Sequence, residues 1–320
     1  MRSLIRTMQA AGLAASLFVA TSALALESVK FMIPAAPGGG WDQTTRNFSA
    51  AMIKSGAIKN SQFENKGGAG GTIGLAQFVN TAKGDGNAIM TGGMVMVGGI
   101  ILNKSAVNLS MVTPLARLTG EFEVLVVPTN SPVKTLKDLT DKLKADPGSV
   151  SWGGGSAGGA DHILAGLIAL AVGVEPAKVN YVPFAGGGEA LASILGGHTT
   201  VSIAGYGEYA SQIKSGKLRA LGISADKRVA GIDVPTIKEQ GLNVELFNWR
   251  GIFAAPGLSD AQKKELLAAV DTTVKSAAWK ETLVKMDWMD IYLTGDGFAK
   301  FLDEENKRVG DVLAKLNLKK

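Results

Sequence analysis

The chain encodes one local device twice: a short apolar run, a proline, an alanine and a run of glycines that leads into a helical pattern. The first copy is Ile33-Pro34-Ala35-Ala36-Pro37-Gly38-Gly39-Gly40 and the second is Tyr181-Val182-Pro183-Phe184-Ala185-Gly186-Gly187-Gly188. Both read as strand, turn, helix. Glycines let the backbone approach a ligand closely, and the first-turn N–H groups of the following helix have no partner inside it. Such a turn is an anion cradle, with donors and dipole directed at whatever lies above it. The same pattern also serves as a plain strand-to-helix connection. Two lobes can thus carry equivalent cradles, although the match is too short to argue gene duplication.

Around these copies the chain alternates strand and helix. A helix is predicted from Thr44 to about Ser55, then a strand at Ser61 to Glu64 before the turn Gly67-Gly68-Ala69-Gly70-Gly71. A helix over Thr72 to Thr81 and a strand from Asn87 to Met90 running into Thr91-Gly92-Gly93 follow. From Glu121 the pattern restarts, with the branched apolar run Val124 to Val127 ended by Pro128. Next come a helix over Leu136 to Lys144, a strand at Val150 to Trp152, the turn Gly153 to Gly159, a helix from Asp161 and, after the second cradle, a helix from Glu189 to Leu195. Strands at Thr200 to Ala204 and Arg219 to Ile223 flank a helix around Tyr209 to Ser215. Short strands separated by helices predict a parallel sheet with helices on both faces and ligands at the carboxyl ends of the strands.

The run Val244 to Ala254 leads to a helical C-terminal part. There Ser259 with Gln262 makes a capping box, and Asp296 is the expected cap of a last helix, Gly297 to Leu316. If these helices fold back on the first lobe, the chain crosses between lobes near Glu121 and again near Arg250, and a double crossing makes a hinge. The corresponding division is residues 26–120 plus 250–320 as one lobe and 121–249 as the other.

Composition bounds the function. With 46% hydrophobic and 19% charged residues the 320-residue chain is globular. Arg2 and Arg6 precede the apolar segment Leu13 to Val19, which ends in Ala23-Leu24-Ala25, so residues 1–25 read as a cleavable export signal. Their removal takes the net charge from +5 to +3, too mild and dispersed for nucleic acid. The absence of cysteine excludes a thiolate metal site and a cysteine nucleophile.

Enzyme motifs are present but incomplete. Gly154-Gly155-Ser156-Ala157-Gly158 spells G-x-S-x-G, the nucleophile elbow. The chain's two histidines are His162, six residues after Ser156, and His198, in a surface-like turn. Gly153, Gly155 and Gly158 also fit G-x-G-x-x-G, but the strand Val179 to Phe184 ends without the acid that holds a ribose. No glycine turn is followed by a Walker lysine, and no acidic cluster has calcium-loop spacing. A chain with several glycine turns and few catalytic groups favours binding, with no cofactor and no metal. Asp42 reads as a helix N-cap or as an acceptor for a ligand hydroxyl or water. Arg250 reads as a hinge ion pair or as a cation for a further ligand carboxylate, and Trp41 as a pocket wall or as packing over the first turn.

The blocks Pro34 to Arg46 (PAAPGGGWDQTTR), Gly67 to Gly74 (GGAGGTIG), Trp152 to His162 (WGGGSAGGADH), Val182 to Leu195 (VPFAGGGEALASIL) and Trp249 to Gly257 (WRGIFAAPG) closely resemble the periplasmic receptors of tripartite tricarboxylate transporters, the Bug-type proteins. The likeness runs in order through essentially the whole chain after residue 25. It implies an α/β fold of the periplasmic binding protein type II kind: two Rossmann-like lobes, joined by a double-crossover hinge, that close on the ligand. It further implies that the first loop, Pro37, Gly38, Gly39, Gly40, Trp41, Asp42 and Gln43, holds a carboxylate through backbone amides and waters. The facing lobe would contribute Ser156, Ala157, Gly158 and His162, then Phe184, Ala185 and Gly186, and Ser202, Ala204 and Gly205. Thr91, Gly92 and Arg250 complete the candidate ligand-binding residues. The implied function is that of a monomeric periplasmic receptor for a small di- or tricarboxylate, citrate in the first place, delivered to a membrane permease. The alternatives are a receptor for an aromatic carboxylate or an amino acid, and an exported hydrolase using Ser156.

Overall fold

The computed structural model describes residues 26–318, so the export signal read in residues 1–25 lies outside the described residues. Strand β1 (Leu26–Ile33) passes through the first glycine turn into α1 (Gly40–Lys54), followed by β2 (Ile58–Asn65), α2 (Thr72–Thr81), β3 (Ala88–Gly93) and α3 (Met94–Leu102). A 16-residue strand, β4 (Thr113–Pro128), then leads to α4 (Leu136–Ala145), β5 (Ser151–Gly154), α5 (Ala160–Ala171), β6 (Asn180–Pro183), α6 (Gly187–Leu195), β7 (Val201–Gly205), α7 (Tyr206–Lys214) and β8 (Leu218–Ile223). Strand β9 (Phe247–Ala254) returns the chain, and α8 (Asp260–Lys275), α9 (Ala277–Lys285), β10 (Met289–Thr294) and α10 (Gly295–Lys315) complete it.

The strands run in the order β2-β1-β3-β9-β4-β7-β5-β6, with β8 and β10 also paired to β4. The βα units give parallel pairs at both ends, β1 with β2 and β3, and β5 with β6 and β7. At the centre the expectation of a parallel sheet is corrected. Strand β4 is antiparallel to β7, β8, β9 and β10, and β3 is antiparallel to β9. The reason is the double crossing: β4 carries the chain out of the first lobe and β9 carries it back, so the two run in opposite directions between the same end points. Residues 113–122 of β4 pair with β9, whereas residues from Glu123 onward pair with β7 and β8.

Packing explains the helices. In the first lobe, α1 lies under α8 and α9, with Phe48 edge-to-face on Trp279 at 5.1 Å between ring centres. On the opposite side α10 packs against α3. Helix α3, MVMVGGIIL, was not expected because a helix apolar on nearly every side has no 3.6-residue alternation to read. Strand β10, a partly exposed six-residue edge strand, likewise has no apolar pattern that marks it in the sequence. The Ser259–Gln262 capping box forms. The last helix differs from expectation: its N-cap is Thr294, and Asp296 lies in the first turn.

Where β4 and β9 cross, the two-residue period of a strand sorts side chains by face. Phe122, Phe247 and Trp249 lie on one side, with Phe122 and Phe247 edge-to-face at 5.3 Å. Glu121, Glu123, Asn248 and Arg250 occupy the other. Trp249 is fully buried, meets Phe301 edge-to-face at 5.2 Å, and donates its indole N–H to Glu305 Oε1 at 2.9 Å. Replacing Trp249 by Ala removes this anchor between the crossing strand and α10. The loss should be about 3–5 kcal/mol, read as a lowered midpoint in urea or thermal unfolding.

Candidate ligand-binding site

A cavity of about 80 Å³ lies between the lobes at the helix N-termini that follow β1, β5, β6 and β7. These helices share a feature that α4, α8 and α9 lack. The N-caps of α1, α5, α6 and α7 are Gly39, Gly159, Gly186 and Gly205, none of which supplies a side-chain acceptor. In contrast α4, α8 and α9 are capped by the hydroxyls of Thr135, Ser259 and Ser276. The first-turn N–H groups at the cleft therefore keep free donor capacity.

The two encoded cradles form the same structure, one residue out of the register that their glycine runs suggest. Gly39 and Gly186 are the N-caps, and the acid three residues on folds back to the loop amide before the cap. Asp42 accepts from Gly38 N–H at 2.9 Å, and Glu189 accepts from Ala185 N–H at 3.1 Å. Hence Trp41, not Gly40, is the counterpart of Gly188. Asp42 is thus an N3 residue that braces the turn rather than the N-cap expected of it. It also bonds Arg46 and Asn65. Burial opposes its charge, but these partners and the Gly38 amide hold its carboxyl below the ordinary value. The cradles meet face to face: a Cβ placed on Gly39 would lie 3.5 Å from Gly186 Cα and Gly187 N. On the far side of the cleft a Cβ on Gly98 of α3 would strike the Gly158 carbonyl. The lobes touch where side chains are missing, and closure depends on that.

Of the residues singled out from sequence, Gly39, Gly40, Trp41, Ser156, Ala185 and Gly186 line the cavity, as do Ala204, Gly205 and Arg250. Pro37 and Gly38 face solvent, while Asp42 and Gln43 point back into the turn, Gln43 donating to the Gly38 carbonyl. Thr91 is buried against Thr45 at 2.6 Å, and Gly92 packs on Phe253. Ser202 bonds the Gly153 carbonyl and Tyr209, and Phe184 packs beside Gly153. Ala157 and Gly158 lie outside the cavity wall. His162 accepts the Gly158 N–H at Nδ1 and stacks on Tyr181 at 4.2 Å, and burial draws it down to about 4, so it is neutral. A serine nucleophile at Ser156 finds no base in that histidine.

Residues not singled out from sequence bring most of the charge. Asp161, Glu208 and Asn248 line the cavity, and on β4 behind it Glu123 accepts from Asn248 and Glu121 pairs with Arg250. Arg250 is ion-paired to Glu121 and lies 3.5 Å from Glu208. Burial lowers its guanidinium to about 9, which leaves it protonated at neutral pH. Asp161 accepts the Gly155 N–H at 2.5 Å, and burial raises it to about 6. Burial together with Asp161 and Glu208 raises Glu123 well above the carboxylate range, and burial with Asp161 raises Glu208 to about 8. A signal for Glu208 existed: it stands three residues after its glycine cap, as Asp42 and Glu189 do. Its carboxylate, however, lies against Gly40 and Gly187 instead of its own loop.

Two α/β lobes joined by crossing strands, with a small cavity between them and glycine-capped helix ends directed at it, define a two-lobed solute-binding protein. The chain belongs to the tripartite tricarboxylate transporter family of receptors, whose TctC profile matches residues 53–318. This is a family of receptors rather than enzymes. A protein encoded in the gbd 5′ region of Cupriavidus necator is 30% identical over 261 residues, 80% of this chain and 78% of that one. The solved structure of the periplasmic binding protein BugD superposes with a TM-score of 0.83 at 21% identity, covering 92% of this chain and 98% of BugD. MatC from Rhodopseudomonas palustris, solved with bound malate, has a TM-score of 0.78 at 26% identity, covering 90% and 99%.

The buried acid has a measurable consequence. Unfolded, Glu208 ionises near its ordinary 4.5, whereas the folded protein holds the proton up to about 8. Between these values the folded state binds the extra proton, so this group's contribution to stability falls as pH rises. Glu208→Gln removes that slope. The excess of the variant's melting temperature over the wild type should grow from about pH 5 to about pH 8, and a constant difference would show that Glu208 ionises normally.

Proposed function

We propose that this receptor captures a small carboxylate in the periplasm and delivers it, as a monomer, to the membrane permease of a tripartite transporter. The observation that carries the reading is the capping at the cleft: α1, α5, α6 and α7 start behind glycines that give no side-chain acceptor, whereas α4, α8 and α9 start behind bonded hydroxyl caps. A carboxylate on such amides gains charge-assisted hydrogen bonds from fixed donors without a lysine or arginine of its own. Residues 26–120 plus 250–320 act as one lobe and 121–249 as the other, with Gly39 and Gly40 facing Ala185 and Gly186 across the cleft. Malate, the ligand named for MatC, and citrate, the tricarboxylate that the family name suggests, are the first compounds to test. Export rests on Arg2, Arg6 and the apolar run before Ala23-Leu24-Ala25; among the described residues no helix is long and apolar enough to cross a membrane.

A ligand that binds only the folded protein stabilises it by mass action, by about 2.7 kcal/mol at a hundredfold excess over Kd. Refolded protein should therefore melt higher in the presence of the right carboxylic acid. Gly39→Val tests the anchoring. The Gly39 backbone, at φ −75° and ψ 170°, suits valine, so the lobe should fold, while the γ-methyls press on Gly186 and Gly187 and hold the lobes apart. The thermal shift should vanish in that variant, and a full response would refute the cradle.

A further inference from the structure

The donors in the cleft call for a carboxylate, but the acceptors beside them call for something else. Asp161 and Glu208 line the same small cavity, and behind that lining Glu121 pairs with Arg250 and Glu123 accepts from Asn248. Arg250, the cation lining this cavity, is already paired with Glu121. The Asn248 side chain adds a further acceptor: its Nδ2 donates to Glu123 Oε1 at 2.8 Å, and its buried Oδ1, in a residue only 6% exposed, has no partner. A buried acceptor without a donor is costly, and so are carboxylates crowded together in a dry site.

We propose that the ligand is a zwitterion, an amino acid in chemical class, whose ammonium group is held by Asp161, Glu208 and Asn248 while its carboxylate rests on the glycine-capped helix ends. This rests on the carboxylate reading above and narrows it. An ammonium offers three donors to three acceptors and cancels the charge that a second carboxylate would aggravate. Placement supports the pairing, because the Glu208 carboxylate lies against Gly40 and Gly187, the first residues of α1 and α6. The ammonium site and the carboxylate cradles are therefore neighbours, as the two charged groups of an amino acid are.

The test compares ligands that differ only at one carbon. Calorimetry on the refolded full chain would use succinate, malate and aspartate, then propionate and alanine, then alaninamide, which keeps the ammonium but lacks the carboxylate. Aspartate should bind at least about tenfold more tightly than succinate, and alanine than propionate. Glu208→Gln should weaken aspartate by about tenfold and tighten succinate. Succinate and propionate binding as tightly as their amino partners would overturn the ammonium site and leave the carboxylate reading standing. Alaninamide binding as well as alanine would sink the carboxylate reading and leave the ammonium site. Silence across the whole panel would overturn both.

Discussion

An α-helix leaves its first N–H groups unpaired, and whether a side chain settles that deficit distinguishes the four helices that start at the cavity after β1, β5, β6 and β7 from α4, α8 and α9. Helices α4, α8 and α9 use Thr135, Ser259 and Ser276. Helices α1, α5, α6 and α7 use glycines and leave the donors available. The cost is small, since glycine at an N-cap loses only a few tenths of a kcal/mol against serine. Hydrogen bonds to a charged group are worth about 1.5–3 kcal/mol each. A few tenths given up per helix thus leaves a site worth several times more when a carboxylate enters, and that ratio makes the glycine turns intelligible.

The crossing strands give this site its second character. Because β4 alternates faces, Glu121 and Glu123 lie on the cleft side, behind Arg250 and Asn248, while Phe122 joins the aromatic layer with Phe247 and Trp249. On β9 the same alternation sends Asn248 and Arg250 to the cleft. The buried Arg250–Glu121 pair contributes little net stability against an apolar substitute, but breaking it would strand a buried charge. It fixes how β4 and β9 sit on each other. The hinge is therefore also the back wall of the pocket, so bending it moves the charges that the ligand meets.

The sequence made the punctuated parts of the fold legible. Strand-to-helix units bounded by glycine or proline read cleanly, and α2 occupies Thr72–Thr81 as its pattern indicates. The first half of β4 did not read as a strand, because TPLARLTGEF has a proline and interspersed polar residues. Its partner β9 lies more than a hundred residues away, and only that tertiary pairing makes it a strand. In the site, glycines announce themselves through backbone geometry, which is local. Asp161, Glu208 and Asn248 could not, because what sets them apart is burial beside groups on other elements. The repeated glycine-x-x-acid spacing marks Asp42, Glu189 and Glu208 alike; two of them brace their own loops and the third reaches across the cleft.

That third acid bears on how the lobes close. Bringing them together takes Glu208, Asp161 and Glu121 out of water, and desolvation of crowded carboxylates opposes the movement unless protons or a cation come with it. The raised Glu208 and Glu123 show protons filling that role in the protein alone. A ligand shifts the open-to-closed balance only by the difference in its affinity for the two forms. Amides on facing helix ends and acids on the hinge wall come within reach of one small molecule only when Gly39 meets Gly186, so the interactions that select the ligand are the same ones that reward closure.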